Sequence, residues 1–248
     1  MNKTTAFIAL GIFAFSVLVQ ETQAQILKIN SYGQSSLDQG DFSNTGLTEP
    51  EAGYISSAFT GGLEFIFYPT NKLGIGTRWS ATRFYRDTEA FSSDFKDANG
   101  LNGGTYHINQ PYMYASFGFE LGLTYLIAIN KSWDIEPYFY LGRQTLLAQG
   151  ANAIYTSGGT TVQYQQEIPF FYGFSYAPGA RFNWNINKHW GLSLSAEYRG
   201  VQYVEAEEVQ ITYTADDLLI EEINRDYSIS SINFGLGFSY RFGKGLAE

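Results

Sequence analysis

The sequence predicts an all-β protein, a closed, antiparallel, up-and-down β-barrel of eight strands that crosses a membrane. Three observations predict it. Long segments alternate between apolar and polar residues, short polar breaks recur between pairs of these segments, and the 248 residues include 20 Phe, 19 Tyr and 26 Gly but no Cys. Aromatic residues favour strands, and glycine favours the turns between them. The length suits a single domain.

The first 24 residues are predicted to be a cleaved secretory signal peptide. A basic start at Lys3 precedes an apolar stretch over 6–19, and small residues precede Gln25. This stretch is too short for a membrane-spanning helix, which needs about 20 residues. We therefore expect an exported chain with its barrel over 25–242 and a short tail at 243–248.

Three short polar breaks set the spacing of the strands. Asn-Lys pairs begin at Asn71, Asn130 and Asn187, 59 and 57 residues apart, and each lies between two alternating runs. Such breaks are typical of β-hairpin turns. The segments between these hairpins are long and polar, and we expect irregular loops there. They cover 37–52, 86–110, 148–168 and 204–228. The alternative is a ten-stranded barrel, with a hidden hairpin near 154–165 or 209–214.

The alternation is regular enough to count. From Ser231 to Phe242 all six even positions are apolar and none of the odd positions is; from Met113 to Ile129 all nine odd positions are apolar. Period two over this length indicates strands and not helices. A tilted strand crosses a membrane with about 9–11 residues, so these runs are long enough.

Side-chain size decides which face points outward. A soluble lipocalin-like barrel would bury the apolar face. The interior of an eight-stranded barrel, however, is only wide enough for its own side chains to fill. Phenylalanines such as Phe117, Phe119 and Phe234 would overfill it, so we expect them to face lipid. Aromatic residues near the short turns then form an interfacial girdle. These are Tyr68, Trp133, Trp184 and Trp190.

The whole pattern resembles the small bacterial outer-membrane barrels of the OmpA-like and OmpX-like family. The features that carry the resemblance are the signal peptide, the eight alternating strands, the tight turns, the long loops and a last strand I-x-F-x-L-x-F-x-Y-x-F over 232–242. The resemblance implies periplasmic turns, extracellular loops, and contact with outer-membrane lipid and lipopolysaccharide. It also implies that the barrel-assembly machinery reads Phe238, Tyr240 and Phe242 as an assembly signal. Six residues follow Phe242, and we expect no peptidoglycan-binding domain.

The polar face of the strands carries charges that are predicted to point into the barrel. They are Glu64, Arg78, Glu120, Asp134, Glu136, Arg181, Glu197, Arg199 and Arg241. Charges in a narrow interior must be paired and hydrogen-bonded. We expect a salt-bridge network that plugs the lumen, with a narrow gated ion path as the alternative.

Acidic residues concentrate in the long loops. The four loop segments carry a net charge of −14, against +5 for the rest of the chain after residue 24. The last loop holds Glu205, Glu207, Glu208, Asp216, Asp217, Glu221, Glu222 and Asp226. This balance argues against nucleic acid as a partner. The acids either keep the loops solvated or attract cations and basic ligands, Ca²⁺ or Mg²⁺ among them. No EF-hand spacing is present, so we assign no metal site.

Enzymatic activity and cofactors are not predicted. His189 lies in a short turn, and His107 lies at the loop end of a strand, with Ser92, Ser93 and Asp94 in the same loop. A catalytic triad needs a geometry that this pattern does not specify. We expect a non-enzymatic outer-membrane barrel that serves envelope integrity or surface interaction. The alternatives are passage of small or apolar solutes and, second, a lipid-modifying enzyme.

Overall fold

The protein is described by a computed structural model over residues 26–39, 43–45, 53–98, 105–108, 113–148, 151–157, 160–167, 170–203, 206–213, 218–225 and 228–243. The predicted signal peptide and residues 244–248 lie outside these ranges. The elements are β1 (Ile26–Gln39), β2 (Ile55–Tyr68), β3 (Leu73–Arg86), α1 (Thr88–Ala98), β4 (Thr105–Ile108), β5 (Met113–Tyr125), β6 (Ile127–Ala128), β7 (Trp133–Ala148), β8 (Ala151–Ser157), β9 (Thr160–Glu167), β10 (Phe171–Asn185), β11 (Trp190–Tyr203), β12 (Ala206–Tyr213), β13 (Leu218–Arg225) and β14 (Ser228–Phe242).

Eight long strands close into a barrel. Their order is β1-β2-β3-β5-β7-β10-β11-β14, every neighbouring pair is antiparallel, and β14 pairs back with β1. The two-residue β6 continues β5 after Leu126. Followed once around the barrel through paired residues, Gly74 on β3 leads back to Phe84 on the same strand, a shear of ten residues. Eight strands with this shear tilt by about 40° from the barrel axis.

The two faces of the barrel have opposite chemistry. Large apolar side chains are exposed on the outside, for example Phe117 at 54% and Leu236 at 67%, while charged residues such as Glu120 and Glu136 are fully buried inside. An apolar exterior on a closed sheet is stable in lipid, where no free strand edge is tolerated. The predicted transmembrane barrel of eight strands is confirmed.

The short turns use one hydrogen-bonding pattern. Asn130 Oδ1 accepts bonds from the backbone N–H groups two and three residues later, at 2.8 and 3.0 Å, and Asn187 does the same. In the first turn Thr70 Oγ1 takes this role, at 3.3 and 2.8 Å, and not Asn71. The first Asn-Lys pair is therefore displaced by one residue from the structural repeat.

Trp133, Trp184 and Trp190 lie on the outer face near the short turns, the first two stacked at 5.8 Å between ring centroids. The prediction that Tyr68 belongs to this girdle is wrong. Tyr68 is fully buried, because it has the same strand phase as Glu64 and Ile66 and so points inward.

Three of the four long segments at the other end, 86–110, 148–168 and 204–228, contain regular structure, so the expectation of irregular loops is wrong for them. Strands β4, β8, β9, β12 and β13 form a separate five-stranded sheet in the order β13-β12-β9-β8-β4. The hairpins β8–β9 and β12–β13 lie where the ten-stranded alternative placed them, but they pair with one another and not with the barrel. Their strands contain only two to four apolar residues each, too few for a lipid-facing stripe.

Helix α1 packs beside the loop end of the barrel. Asp87 caps its first turn by accepting backbone bonds from Glu89 and Ala90 at 3.1 and 2.9 Å. Phe91 is fully buried and meets the Tyr54 ring edge-on at 5.3 Å. Among the described residues, no helix is long and apolar enough to cross a membrane.

Glycines on the inner face make room for tyrosine rings, and this gives a stability prediction. A Cβ atom at Gly122 would lie 2.6 Å from the Phe139 carbonyl oxygen and closer still to the Tyr140 ring. We expect Gly122→Ala to lower the free energy of unfolding by about 1–3 kcal/mol through overpacking. Urea unfolding in lipid vesicles, followed by tryptophan fluorescence, measures this.

Gly61→Ala is the matched control, since its Cβ would meet nothing closer than 3.8 Å. We expect its unfolding free energy to stay within about 0.5 kcal/mol of the wild type. Equal losses in both variants would contradict the close packing of the lumen.

Candidate functional site in the barrel lumen

The barrel interior contains a dense set of charged residues. The structure places all nine charged residues predicted from the sequence inside the barrel, each with at most 8% of its surface exposed. It adds Lys28 on β1, which is fully buried. With Lys28 included, the described lumen holds five acidic and five basic side chains, so its formal charge is balanced.

One part of the network is centred on Glu136 on β7. Its Oε2 accepts a bond from Lys28 Nζ at 2.6 Å, and its Oε1 accepts one from Arg181 Nη1 at 2.6 Å. Arg181 continues to Glu64 through Nη2 at 2.6 Å, and Asn30 donates to the other Glu64 oxygen at 2.8 Å. We call Lys28, Glu64, Glu136 and Arg181 the Glu136 cluster. It joins four different strands through charge-assisted hydrogen bonds.

A second part is centred on Arg78 on β3, whose guanidinium bonds both Glu120 and Glu197. Arg199 Nη2 lies 3.0 Å from Glu197 Oε1, and Ser175 donates to Glu120 at 2.8 Å. We call Arg78, Glu120, Glu197 and Arg199 the Arg78 cluster. Each buried acid in it has a basic partner, as burial of charge requires.

Tyrosine rings separate and cover the two clusters. Arg78 lies over the Tyr140 ring at 4.5 Å and Arg181 over the Tyr138 ring at 4.3 Å. Such cation–π contacts stabilise a guanidinium away from water. Nearer the turns, Arg241 Nη2 contacts Asp134 Oδ2 at 3.2 Å, which accounts for the remaining predicted pair.

Apolar layers lie at both ends of the lumen, and sequence reasoning missed them. The turn-end layer consists of Ile26, Ile66, Tyr68 and Leu126. The loop-end layer consists of Ile55, Ala58, Phe84, Tyr114, Leu146, Phe171, Val201 and Ile229, contributed by seven barrel strands. The signal was present for all of them but Ile55, because the inward phase of each strand, carried to its ends, falls on these residues; Ile55 is turned inward by a register shift between Ile55 and Ser57.

A small cavity lies between the Arg78 cluster and the loop-end layer. Hydroxyl groups line it, among them those of Ser36, Thr60 and Thr82, together with the Arg199 side chain. Its volume of about 10 Å³ is room for roughly one water molecule. This cavity is therefore too small to be a passage of molecular size.

The predicted assembly residues lie on the outer face of the closing strand. The ring centroids of Phe238 and Tyr240 lie 4.9 and 4.4 Å from that of Trp190, and the ring centroids of Phe242 and Tyr240 lie 4.6 Å apart. Their strand, β14, pairs with both β1 and β11 and so closes the barrel. Their reading by assembly machinery stays a prediction.

The predicted acidic residues fall partly in the second sheet. Glu207 and Glu208 lie on β12, and Glu221 and Glu222 lie on β13, which pairs with it. The other four, Glu205, Asp216, Asp217 and Asp226, lie outside the described residues. Over the described ranges, no group of three His, Asp or Glu side chains is placed to hold a metal ion.

His189 and Asp94, two of the candidate catalytic residues, make structural contacts, and His107 lies on a strand of the second sheet. His189 lies in a short turn, where its Nδ1 is 3.0 Å from the Arg241 carbonyl oxygen. Asp94 on α1 accepts a bond from the Tyr54 hydroxyl at 2.8 Å. His107 lies on β4, paired with Ile154 of β8.

Removing the central base of the Arg78 cluster tests its structural role. We expect Arg78→Met to lower the free energy of unfolding by about 3–5 kcal/mol, because Glu120 and Glu197 lose a partner that they cannot replace from water. Urea unfolding in vesicles measures the loss. Lys131→Met, in an exposed turn, is the control and should change stability by less than about 0.5 kcal/mol. Equal stabilities for the two variants would contradict the network.

The chain is similar in fold to solved structures of outer-membrane proteins. Ail, the attachment invasion locus protein of Yersinia pestis, is 14% identical over 89% of this chain and 100% of its own, with a TM-score of 0.41. The outer membrane protein OprG of Pseudomonas aeruginosa is 13% identical over 88% and 96%, with a TM-score of 0.45. The outer membrane protease OmpT of Escherichia coli is 9% identical over 89% and 98%, with a TM-score of 0.32.

No protein-family model matches this sequence, and none of the curated proteins matches it. Sequence identities of 9–14% indicate a similarity of fold alone. The register, closure and two faces of the sheet establish that fold from the chain itself: a small, eight-stranded barrel of the outer-membrane type.

Proposed function

We propose that this chain is a non-enzymatic barrel of the bacterial outer membrane, closed to solutes, which serves envelope integrity or surface interaction. The observation that carries the proposal is the filled lumen. The Glu136 and Arg78 clusters occupy its middle, and apolar layers cover both ends. A barrel with this interior acts through its outer surface and its loops.

The proposed location follows from the two ends and the exterior of the barrel. The barrel has an apolar belt, with tryptophans at the edge of the belt near the short turns. This is typical of β-barrels in the bacterial outer membrane. In this arrangement the short turns face the periplasm and the second sheet faces the exterior. Export would begin with the predicted signal peptide, and insertion would use the barrel-assembly machinery, which reads Phe238, Tyr240 and Phe242.

The proposed interaction surface is the acidic sheet beyond the membrane. Its β12–β13 hairpin carries Glu207, Glu208, Glu221 and Glu222 within 16 residues of paired strand. Concentrated negative charge attracts basic ligands, and the range of this attraction shortens as the salt concentration rises. We propose basic peptides or protein segments as the ligands of this surface.

Passage of small apolar solutes is the second candidate, and one observation favours it. The β10–β11 ladder is interrupted at Ala177 and Pro178, where proline has no N–H to donate. Nearby on the outer face, Ala180 and Ala196 form the floor of an apolar groove of about 610 Å³. Inside the barrel at this level, however, Ala177 is fully buried against Tyr138 and Tyr140.

Single-channel recording tests the closed lumen. We expect no steady conductance from the wild type, nor from Arg181→Ala, because both apolar layers stay intact in that variant. Arg143→Ala, on the outer face, is the matched control. A steady open conductance in the wild type would contradict the plugged lumen. Conductance gained only in Arg181→Ala would favour the gated ion path.

Binding of a labelled oligolysine peptide tests the acidic hairpin. We expect binding at 0.01 M salt that weakens at 0.15 M, as the Debye length falls from about 30 to about 8 Å. Replacing Glu207, Glu208, Glu221 and Glu222 by Gln should weaken binding about fivefold at low salt. Replacing the exposed α1 residues Glu89 and Asp97 by their amides is the control. Unchanged binding in the hairpin variant would remove it as the ligand site.

A further inference from the structure

Two of the short turns carry lysines that the turns themselves do not require. Asn130 and Asn187 form these turns through their Oδ1 atoms, and Lys131 and Lys188, which follow them, take no part in those bonds. Both lysines are exposed, and among the residues that the structure describes no ion pair joins either of them to a carboxylate. The turn residues 129–132 and 186–189 include no acid. Two cations at this end of the barrel therefore have no counter-charge within their turns.

The two turns lie side by side and enclose a cavity. A backbone bond of 2.7 Å from the Asn185 N–H to the Ser132 carbonyl oxygen joins them. The volume of the cavity is about 270 Å³, close to the lower end of the range for small-ligand sites, about 300 Å³. We call this cavity the turn-end vestibule. Its lining includes Leu126, Ala128, Lys131, Asp134, Lys188 and Arg241.

The floor of the vestibule is a buried ion pair whose base has unused donors. Asp134 accepts bonds from Asn183, Asn185 and Arg241, at 2.5, 2.8 and 3.2 Å, and so is satisfied by three donors. A guanidinium has five N–H donors, and over the described residues that of Arg241 makes this one side-chain bond. Arg241 is nearly buried and lines the vestibule. Its unused donors are therefore available to an anion held there.

The lining selects the chemistry of the ligand. Three basic side chains and one acid line the vestibule, and the acid is already bonded, so the vestibule favours an anion. Exposed Ala128 and Ile186 add an apolar surface beside the cations. Asp134, Asn185 and Arg241 have the inward strand phase, so the vestibule opens at the mouth of the lumen and not onto the lipid face. An acidic peptide, which joins carboxylates to apolar side chains, matches both parts of this lining.

We propose that the turn-end vestibule binds a short acidic peptide segment. A carboxylate of the peptide bonds Arg241 between Lys131 and Lys188, because a guanidinium fork matches a carboxylate through parallel N–H bonds. A neighbouring apolar side chain of the peptide contacts Ala128 and Ile186. The location of this partner rests on the proposed function, in which the short turns face the periplasm. The partner is then an acidic segment of a periplasmic protein.

Fluorescence polarisation of a labelled tetrapeptide of alanine, leucine and two glutamates tests this site. The purified barrel in zwitterionic detergent is titrated at about 0.02 M salt, where screening is weak. We expect Lys131→Gln and Lys188→Gln each to weaken binding about threefold and the double variant about tenfold. Lys72→Gln is the matched control and should bind as the wild type does, since Lys72 is an exposed lysine of the first turn outside the lining of the vestibule.

A filling variant tests the vestibule without a change of charge. Ala128→Phe places a ring in the cavity, and we expect binding about tenfold weaker than in the wild type, because the peptide loses the space that the ring takes. A peptide with glutamines in place of the glutamates and an amidated end should not bind the wild type, since it offers no carboxylate.

Unchanged binding in the double lysine variant or in Ala128→Phe would overturn the proposal. An equal loss in Lys72→Gln would also overturn it, since it would indicate attraction to the whole basic end and not to the vestibule. Displacement of the peptide by millimolar inorganic phosphate at constant ionic strength would overturn the peptide as ligand, because a free anion would then suffice.

The location of the vestibule is tested separately, in cells. The chain contains no cysteine, so Lys131→Cys introduces a single target for a maleimide reagent too large to cross the outer membrane. We expect labelling only after the outer membrane is permeabilised. Labelling in intact cells would overturn the proposed orientation, and with it the periplasmic partner. Failed peptide binding by a barrel with normal heat-dependent gel mobility would defeat the vestibule alone.

Discussion

Closure of the sheet is the constraint on which the rest of the structure depends. With eight strands and a shear of ten residues, the backbone cylinder has a radius of about 8 Å, and side chains fill what remains. The side chains of the inner face must therefore be small or must interlock. Large side chains such as Phe117 and Leu236 have room only outside. Once the exterior is apolar, a bilayer is the solvent that it fits, and closure is also what removes the strand edges that lipid would not tolerate.

Inside so narrow a cylinder, each charged side chain then needs a partner of opposite charge. Glu136 accepts from Lys28 and Arg181, and Arg78 bonds two glutamates, so each ion has a partner from another strand. Two of these bonds, Lys28 to Glu136 and Arg78 to Glu197, cross the lumen and tie together strands that the backbone ladder does not pair. Buried ion pairs often contribute little net stability compared with an apolar filling, but removing one partner is strongly destabilising. The network thus fixes one arrangement of the side chains in the lumen. The apolar layers at its two ends keep water from competing for its hydrogen bonds.

The sequence was sufficient wherever a residue's surroundings follow from strand phase. The nine predicted lumen charges all have the inward phase, and the outward aromatics follow from the narrow interior. Lys28 was missed because β1, with polar residues on both faces from Asn30 to Ser36, shows little alternation. Tyr68 was misplaced because residue type was given more weight than phase. The second sheet depends on pairings between distant segments, such as β9 with β12, and alternation within one segment carries no information about them. Thr70 was missed because its hydroxyl replaces an asparagine oxygen, which a search for Asn-Lys does not detect.

The distribution of charge along the barrel axis connects these parts. Inside, acids and bases balance; beyond the membrane, the long segments carry a net charge of −14. Such an acidic surface repels anionic headgroups directly beneath it, and the repulsion acts over about 8 Å at physiological salt. The two charges that face outward from the described barrel strands, Arg83 and Arg143, are both basic and lie toward the loop ends of their strands. The acids of the long segments and the two outward bases therefore lie at different levels along the barrel axis, while the charges inside are paired with one another.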